Sequence, residues 1–133
     1  MGGVSTHAGL FGSAKTVAEV ADALRAALSN TPNPLPADVV QTMAEQRGAG
    51  SHRLGFDGIS SGYTSTGRYF PADTVGHLGY TGTSVWMVPS RKTTVVFLTN
   101  RVHPVDDLTE IRTVRPQIHD AVARALEWDT ADP

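Results

Sequence analysis

Gly76-His77-Leu78-Gly79-Tyr80-Thr81-Gly82-Thr83-Ser84 runs straight into Val85-Trp86-Met87-Val88, and Thr94-Val95-Val96-Phe97-Leu98 follows after Pro89-Ser90-Arg91-Lys92. These residues decide the fold. Short β-branched and aromatic runs bounded by Gly, Pro and Ser clusters read as strands, here near 75–80, 83–88 and 93–99. Pro89 to Lys92 has turn chemistry and joins the last two strands into an antiparallel hairpin. Val95 to Leu98 is apolar without alternation, which predicts a central strand covered on both faces.

Upstream, residues 58–73 hold Gly58, Ser60, Ser61, Gly62, Ser65, Gly67 and Pro71 and read as a long loop. Leu54 and Phe56 alternate with small or polar neighbours, a modest strand signal. Residues 1–13 are rich in Gly and Ser, and Ser13 is placed to cap a helix. Val17, Val20, Ala21, Leu24 and Leu28 fall on one face of that helix. Asn30 to Pro34 breaks it. A second helix is expected to start near Pro36, with Val39, Val40 and Met43 facing the core and Gly48 stopping it. Downstream, the last helix is expected to begin within 109–116, since Pro116 suits only a first turn. Asp106-Asp107 caps or precedes it, and Ile111, Val114, Ile118, Val122 and Leu126 form its apolar stripe. The polar tail from Asp129 is expected to fray.

Composition narrows the possibilities. With 133 residues, 40% hydrophobic and 18% charged, the chain suits a folded domain or part of one and not a disordered segment. A formal net charge of −2 gives no signal for nucleic acid. No apolar run approaches the roughly 20 residues of a membrane helix. The absence of cysteine excludes disulfides and thiolate metal sites. No signal-peptide pattern is present, and Met1-Gly2-Gly3-Val4 reads as an interior piece of a longer chain.

Two helices, an antiparallel meander and a closing helix, together with three stretches of sequence, resemble the class C β-lactamase, D-alanyl-D-alanine carboxypeptidase and esterase-like serine hydrolase superfamily. Gly9-Leu10-Phe11-Gly12-Ser13-Ala14 resembles the segment that opens a helix of the all-α region. Gly76 to Ser84 resembles the strand bearing the third active-site motif, Lys-Thr-Gly or His-Thr-Gly. Val95 to His103, with Leu98-Thr99-Asn100-Arg101, resembles the next strand and its exit. The resemblance implies an α+β fold: the C-terminal half of a β-lactamase/transpeptidase-like domain, with an antiparallel sheet of about three to five strands, flanking helices and a C-terminal helix. Residues 1–133 would form a single partial domain, with a helical segment over 1–48 and the sheet with its closing helix over 49–133.

Such enzymes acylate the serine of a Ser-x-x-Lys motif; a Tyr-x-Asn or Ser-x-Asn element moves protons, and a Lys/His-x-Gly strand completes the cleft. His77-Leu78-Gly79 matches the third element. No serine has lysine at i+3; Ser13 and Ser90 have it at i+2. Tyr-x-Asn and Ser-x-Asn are also absent. The resemblance therefore implies a C-terminal fragment, with the first two elements upstream of these residues.

Carried over residue by residue, the resemblance makes His77 the relay or hydrogen-bonding group and the Tyr80 backbone N–H one donor of the oxyanion hole. Imidazole titrates near neutrality, so it suits proton relay better than it suits holding a carboxylate as lysine does. Leu78, Gly79, Thr81 and Asn100 become substrate-binding positions. Leu78 stands where the family has Thr or Ser, which shifts the expectation from a specialised lactamase toward a peptidase- or esterase-like parent. Thr81, Gly82 and Thr83 also shape the turn into the next strand. His7 could line the cleft or belong to a loop. Ser60-Ser61-Gly62-Tyr63 lacks a nucleophile elbow. The five histidines show no metal-ligand spacing, so no metal or cofactor is expected. Trp86 and Trp128 read as packing residues.

The expected partners are a carbonyl-bearing small molecule or peptide and the missing N-terminal half of the same fold, with no nucleic acid and no membrane segment. The resemblance allows an exported or periplasmic location. Two other readings stand beside the hydrolase: a non-catalytic interaction module using an exposed sheet, and one half of a split enzyme. An in-frame Ser-x-x-Lys and Tyr-x-Asn upstream of Met1 would favour the enzyme.

Overall fold

The computed structural model describes residues 8–59 and 64–130. His7 and Ser60 to Tyr63 therefore lie outside the described residues. The fold is α+β, with helices α1 (Ala14–Leu28), α2 (Ala37–Ala44) and α3 (Leu108–Ala125) around strands β1 (Asp57–Gly58), β2 (Val75–Leu78), β3 (Ser84–Val88) and β4 (Thr93–Phe97). The strands pair antiparallel in the order β1-β2-β3-β4.

β3 organises both layers. Alternate side chains of a strand point to opposite faces. Met87 packs with Ala21 and Ala27 of α1, Val40 of α2 and Val75 of β2. Trp86 and Val88 pack on the other side with Phe70, Ala123 of α3 and Trp128. Trp86, Met87 and Val88 are all at most 2% exposed, so β3 is covered on both faces. Both tryptophans are core residues, as their sequence context predicts.

α1 starts where the sequence places it: the Ser13 hydroxyl accepts the Thr16 amide proton at 3.2 Å. Asp107 caps α3 in the same way, accepting from the Thr109 amide at 2.7 Å. Pro89 to Arg91 makes one 3₁₀ turn, and Lys92 turns left-handed into β4.

Five expectations are corrected. The apolar run from Val95 to Leu98 predicts a central strand, but β4 forms one end of the described sheet and is half-buried throughout. An unbroken apolar run reports helices on both faces and says nothing of the strand's edges. The modest strand at Leu54 and Phe56 shrinks to Asp57–Gly58, and Leu54 is exposed. α2 ends at Ala44, before Gly48, with Pro36 as its cap and Val39 exposed. Pro116 lies inside α3 and not in its first turn. A mid-helix proline costs about 3 kcal/mol or more; here the ring is buried, and the Pro116 carbonyl closes tightly on Gly67. Finally, the buried stripe of α3 is Ile111, Arg115, His119 and Ala123, with Val114 and Leu126 exposed. A cation and an imidazole take core positions because each hydrogen-bonds backbone carbonyl oxygen. No helix is long and apolar enough to cross a membrane, among the described residues.

β2 and β3 meet closely at Gly76, which pairs with Trp86. A Cβ there would stand 1.9 Å from the Val85 carbonyl oxygen and 2.9 Å from the Trp86 Cα, so the backbone itself would have to move. Gly76→Ala is expected to destabilise by about 1–3 kcal/mol or more, as overpacking does, read as a lowered urea midpoint. An unchanged midpoint would contradict this close approach.

Candidate functional site

β2 ends in the His77-Leu78-Gly79 tripeptide, and its alternation separates the first two side chains. His77 is exposed on the α1 face, opposite Val85. It borders an apolar groove of about 460 Å³ walled by Phe11, Val20, Leu24, Phe56 and Met87. Leu78 lines a different cavity of about 340 Å³ with Thr64, Ser65, Arg112 and Arg115. The His77 Nδ1–H donates to the Leu78 carbonyl at 2.7 Å. That bond fixes the tautomer. It leaves Nε2 as an acceptor with no partner among the described residues.

The chain then reverses. The Gly82 amide donates to the Gly79 carbonyl at 3.0 Å, and the Gly79 amide to the Thr83 carbonyl at 2.8 Å. Tyr80 and Thr81 keep negative φ while Gly82 has φ +94. This is a type I turn followed by a left-handed glycine, a standard way to close a hairpin. The geometry has a direct consequence for Tyr80. A trans peptide points its N–H opposite to its C=O. The Gly79 carbonyl points into the turn, so the Tyr80 N–H points out of it. That amide donates no hydrogen bond among the described residues.

The other carbonyls of the turn are taken from behind. Arg101 Nε donates to the Tyr80 oxygen at 2.7 Å. Thr99 Oγ1 donates to the Thr81 oxygen at 2.6 Å, as does the Arg101 amide at 3.0 Å. Arg115 Nε donates to the Gly82 oxygen at 3.2 Å. The Arg101 guanidinium also lies over the Tyr80 ring, 4.4 Å from its centre, and pairs with Asp106. The Tyr80 hydroxyl donates to Asp106 at 2.6 Å. That hydroxyl, and then Arg101, holds the Asp106 carboxyl below the ordinary carboxylate range. Burial, and then the Arg101 charge, lowers the pKa of Arg115.

Thus His77, Gly79, the Tyr80 amide and Thr81 share one end of β2. Asn100 does not join them: it is exposed beside a separate cavity of about 520 Å³ with His103, Asp107 and Glu110. Among the described residues no cluster of His, Cys, Asp and Glu could hold a metal ion. Arg101, Asp106 and Arg115 escaped the sequence reading as parts of this region. No spacing rule marks an arginine that donates to turn carbonyls.

His119 was missed as well. It is fully buried among Phe70, Trp86 and Phe97. Its Nδ1–H donates to the Ser65 carbonyl at 2.6 Å, so Nε2 accepts the Ser84 hydroxyl at 3.0 Å. Serine beside imidazole is the arrangement of a nucleophile and its base. Here Ser84 is 1% exposed and lines none of the three cavities, so the pair ties β3 and the Ser65 loop to α3 instead. Burial lowers the His119 pKa below 6.5, opposed by the Ser65 bond and helped by Arg115. Between that lowered value and 6.5 the unfolded chain binds more protons, so stability rises with pH across the window and is level in this respect on either side of it. His119→Gln is expected to cost about 1–3 kcal/mol by leaving partners unpaired, and to flatten this part of the pH profile. Urea unfolding at pH 5.5 and 7.5 checks it; wild-type and variant profiles that run parallel would contradict it.

A family model described as Beta-lactamase matches residues 2–119. Comparison with curated proteins gave no match, and comparison with solved structures gave none either. The family match spans α1, α2, the four strands and α3 as far as His119, most of the chain: the chain belongs to the beta-lactamase family.

Proposed function

We propose that this chain forms one wall of the cleft of a serine hydrolase that cleaves an amide or ester through an acyl-enzyme. One observation carries the reading: an amide, Tyr80 N–H, and an imidazole nitrogen, His77 Nε2, neither engaged among the described residues, lie at the same end of β2. In this reading the substrate carbonyl oxygen sits against the Tyr80 amide and the amide of the attacking serine. Each such donor is worth about 2.7–4 kcal/mol in the transition state. His77 Nε2 accepts or relays a proton near the leaving group. Gly79 and Thr81 border the bound substrate. Leu78 and Asn100 belong to other cavities and have no part in this version of the site.

The nucleophile comes from sequence beyond these 133 residues, which hold no Ser-x-x-Lys. The apolar groove beside His77 seats the element that brings it. Leu10, Phe11 and Val20 are strongly exposed at that groove, a patch that calls for a cover. His77, where the resemblance places lysine in lactamases, favours a peptidase- or esterase-like parent, akin to the penicillin-binding proteins, over a dedicated lactamase.

The 133-residue chain alone is expected to turn over neither a p-nitrophenyl ester nor a chromogenic cephalosporin. Joined to the region that carries Ser-x-x-Lys, it is expected to hydrolyse one of them and to be silenced by a serine-directed phosphonate. Turnover by the chain alone, blocked by that inhibitor, would overturn the assignment. In the assembled hydrolase, Tyr80→Pro removes the amide proton at a turn position that suits proline. Its kcat is expected to fall about 10²–10³-fold while Tyr80→Phe, which keeps the amide, stays within about tenfold of wild type. Equal losses in both variants would contradict the role of the amide.

A further inference from the structure

We propose that Arg101 is a positioning residue, a clamp that sets the turn presenting the Tyr80 amide. The proposal rests on the function proposed above for that amide. Three contacts from one guanidinium converge on one residue and its neighbour. Nε holds the Tyr80 carbonyl, the charged plane covers the Tyr80 ring, and Nη1 pairs with Asp106, which also receives the Tyr80 hydroxyl. Tyr80 is thereby fixed at its backbone and at the tip of its side chain by the same pair of charges.

The held carbonyl is the one that matters for turn geometry. Type I and type II turns differ by a flip of the central peptide, whose oxygen here is that of Tyr80. A flip would drag this oxygen away from Arg101 Nε and require positive φ at Thr81, which costs a β-branched residue dearly. Arg101 also contributes its own amide to the Thr81 oxygen, so backbone and side chain act on consecutive carbonyls. The Tyr80 N–H belongs to the preceding peptide, whose Gly79 carbonyl accepts from the Gly82 amide; with the carbonyls of 80, 81 and 82 held by Arg101, Thr99 and Arg115, the residue that carries this N–H and the turn around it are kept in one place.

An ordinary surface ion pair would not be built this way. The Arg101 side chain is only 6% exposed. Its remaining nitrogen, Nη2, is buried without a hydrogen-bond partner among the described residues. An unpaired buried donor is destabilising. Arginine is required by the geometry, because lysine has no planar fork with which to stack, pair and donate at once.

Kinetics in the assembled hydrolase test the clamp. Arg101→Ala is expected to lower kcat about 10- to 100-fold, the effect of a slightly misplaced catalytic group, with KM changed much less. Arg101→Lys should fail to restore kcat, whereas added methylguanidinium should restore part of it in Arg101→Ala. Unchanged kcat, or a loss confined to KM, would overturn the proposal. A readout independent of hydrolysis uses the ¹H–¹⁵N spectrum of the 133-residue chain. Arg101→Met, or Asp106→Asn should the former not fold, is expected to shift the Tyr80, Thr81 and Gly82 amide signals, with the α1 and α2 signals unmoved. Turn signals that stay in place would overturn the clamp. Absence of turnover in the wild-type assembly would count against the proposed function, and the amide spectra would still decide the clamp.

Discussion

Everything at the site depends on the burial of β3 on both faces. Met87 is committed to the helices α1 and α2, and Trp86 and Val88 to α3 and Trp128. The side-chain period of a strand is two, so a one-residue slip against β2 would send every side chain to the wrong face. The same register places His77 opposite Val85 on the α1 side and Leu78 opposite Ser84 on the α3 side. Gly76 reinforces it, because only a residue without a side chain fits against the Val85 carbonyl there. The imidazole faces its groove because a tryptophan and a methionine are buried across the sheet.

In the proposed function, the hairpin turn is where that register meets the substrate. Its peptides are sorted: carbonyl oxygens point back toward the exit of β4 and α3, where hydroxyl and guanidinium donors meet them, and one amide proton points out. Two arginines stand behind the turn, and only Arg101 is paired with a carboxylate among the described residues. A positive environment behind an outward amide favours negative charge in front of it, and donors fixed in advance cost no reorganisation when charge develops. The buried Ser84–His119–Ser65 link serves the same end from the other side, since it anchors the start of β3 to α3.

Much of this was legible in the sequence, and the failures have a common cause. The three main strands, the Pro89–Lys92 reversal, the Ser13 cap and the Asp107 cap follow from local chemistry, which a sequence displays directly. The position of β4 at an end of the described sheet does not, because Val95 to Leu98 speak only of their two faces. The buried stripe of α3 was misread by reading polarity as exposure. Arg115 and His119 are inside because carbonyl oxygens on another element await them, and that is a tertiary fact. The candidate site divides in the same way. His77, Gly79, Tyr80 and Thr81 are neighbours in sequence and remain so in space. Asn100 was assigned through likeness alone and opens onto another cavity. Arg101 was in plain view and carried no motif of its own.

The central claim is that the Tyr80 amide receives the developing oxyanion. A crystal structure of the assembled hydrolase, with its serine phosphonylated, tests it most directly. The phosphonyl oxygen that mimics the oxyanion is predicted to lie about 2.7–3.1 Å from the Tyr80 nitrogen, with the 79–82 turn unchanged. An oxygen bound by other donors, with the Tyr80 N–H facing solvent or protein, would contradict the account.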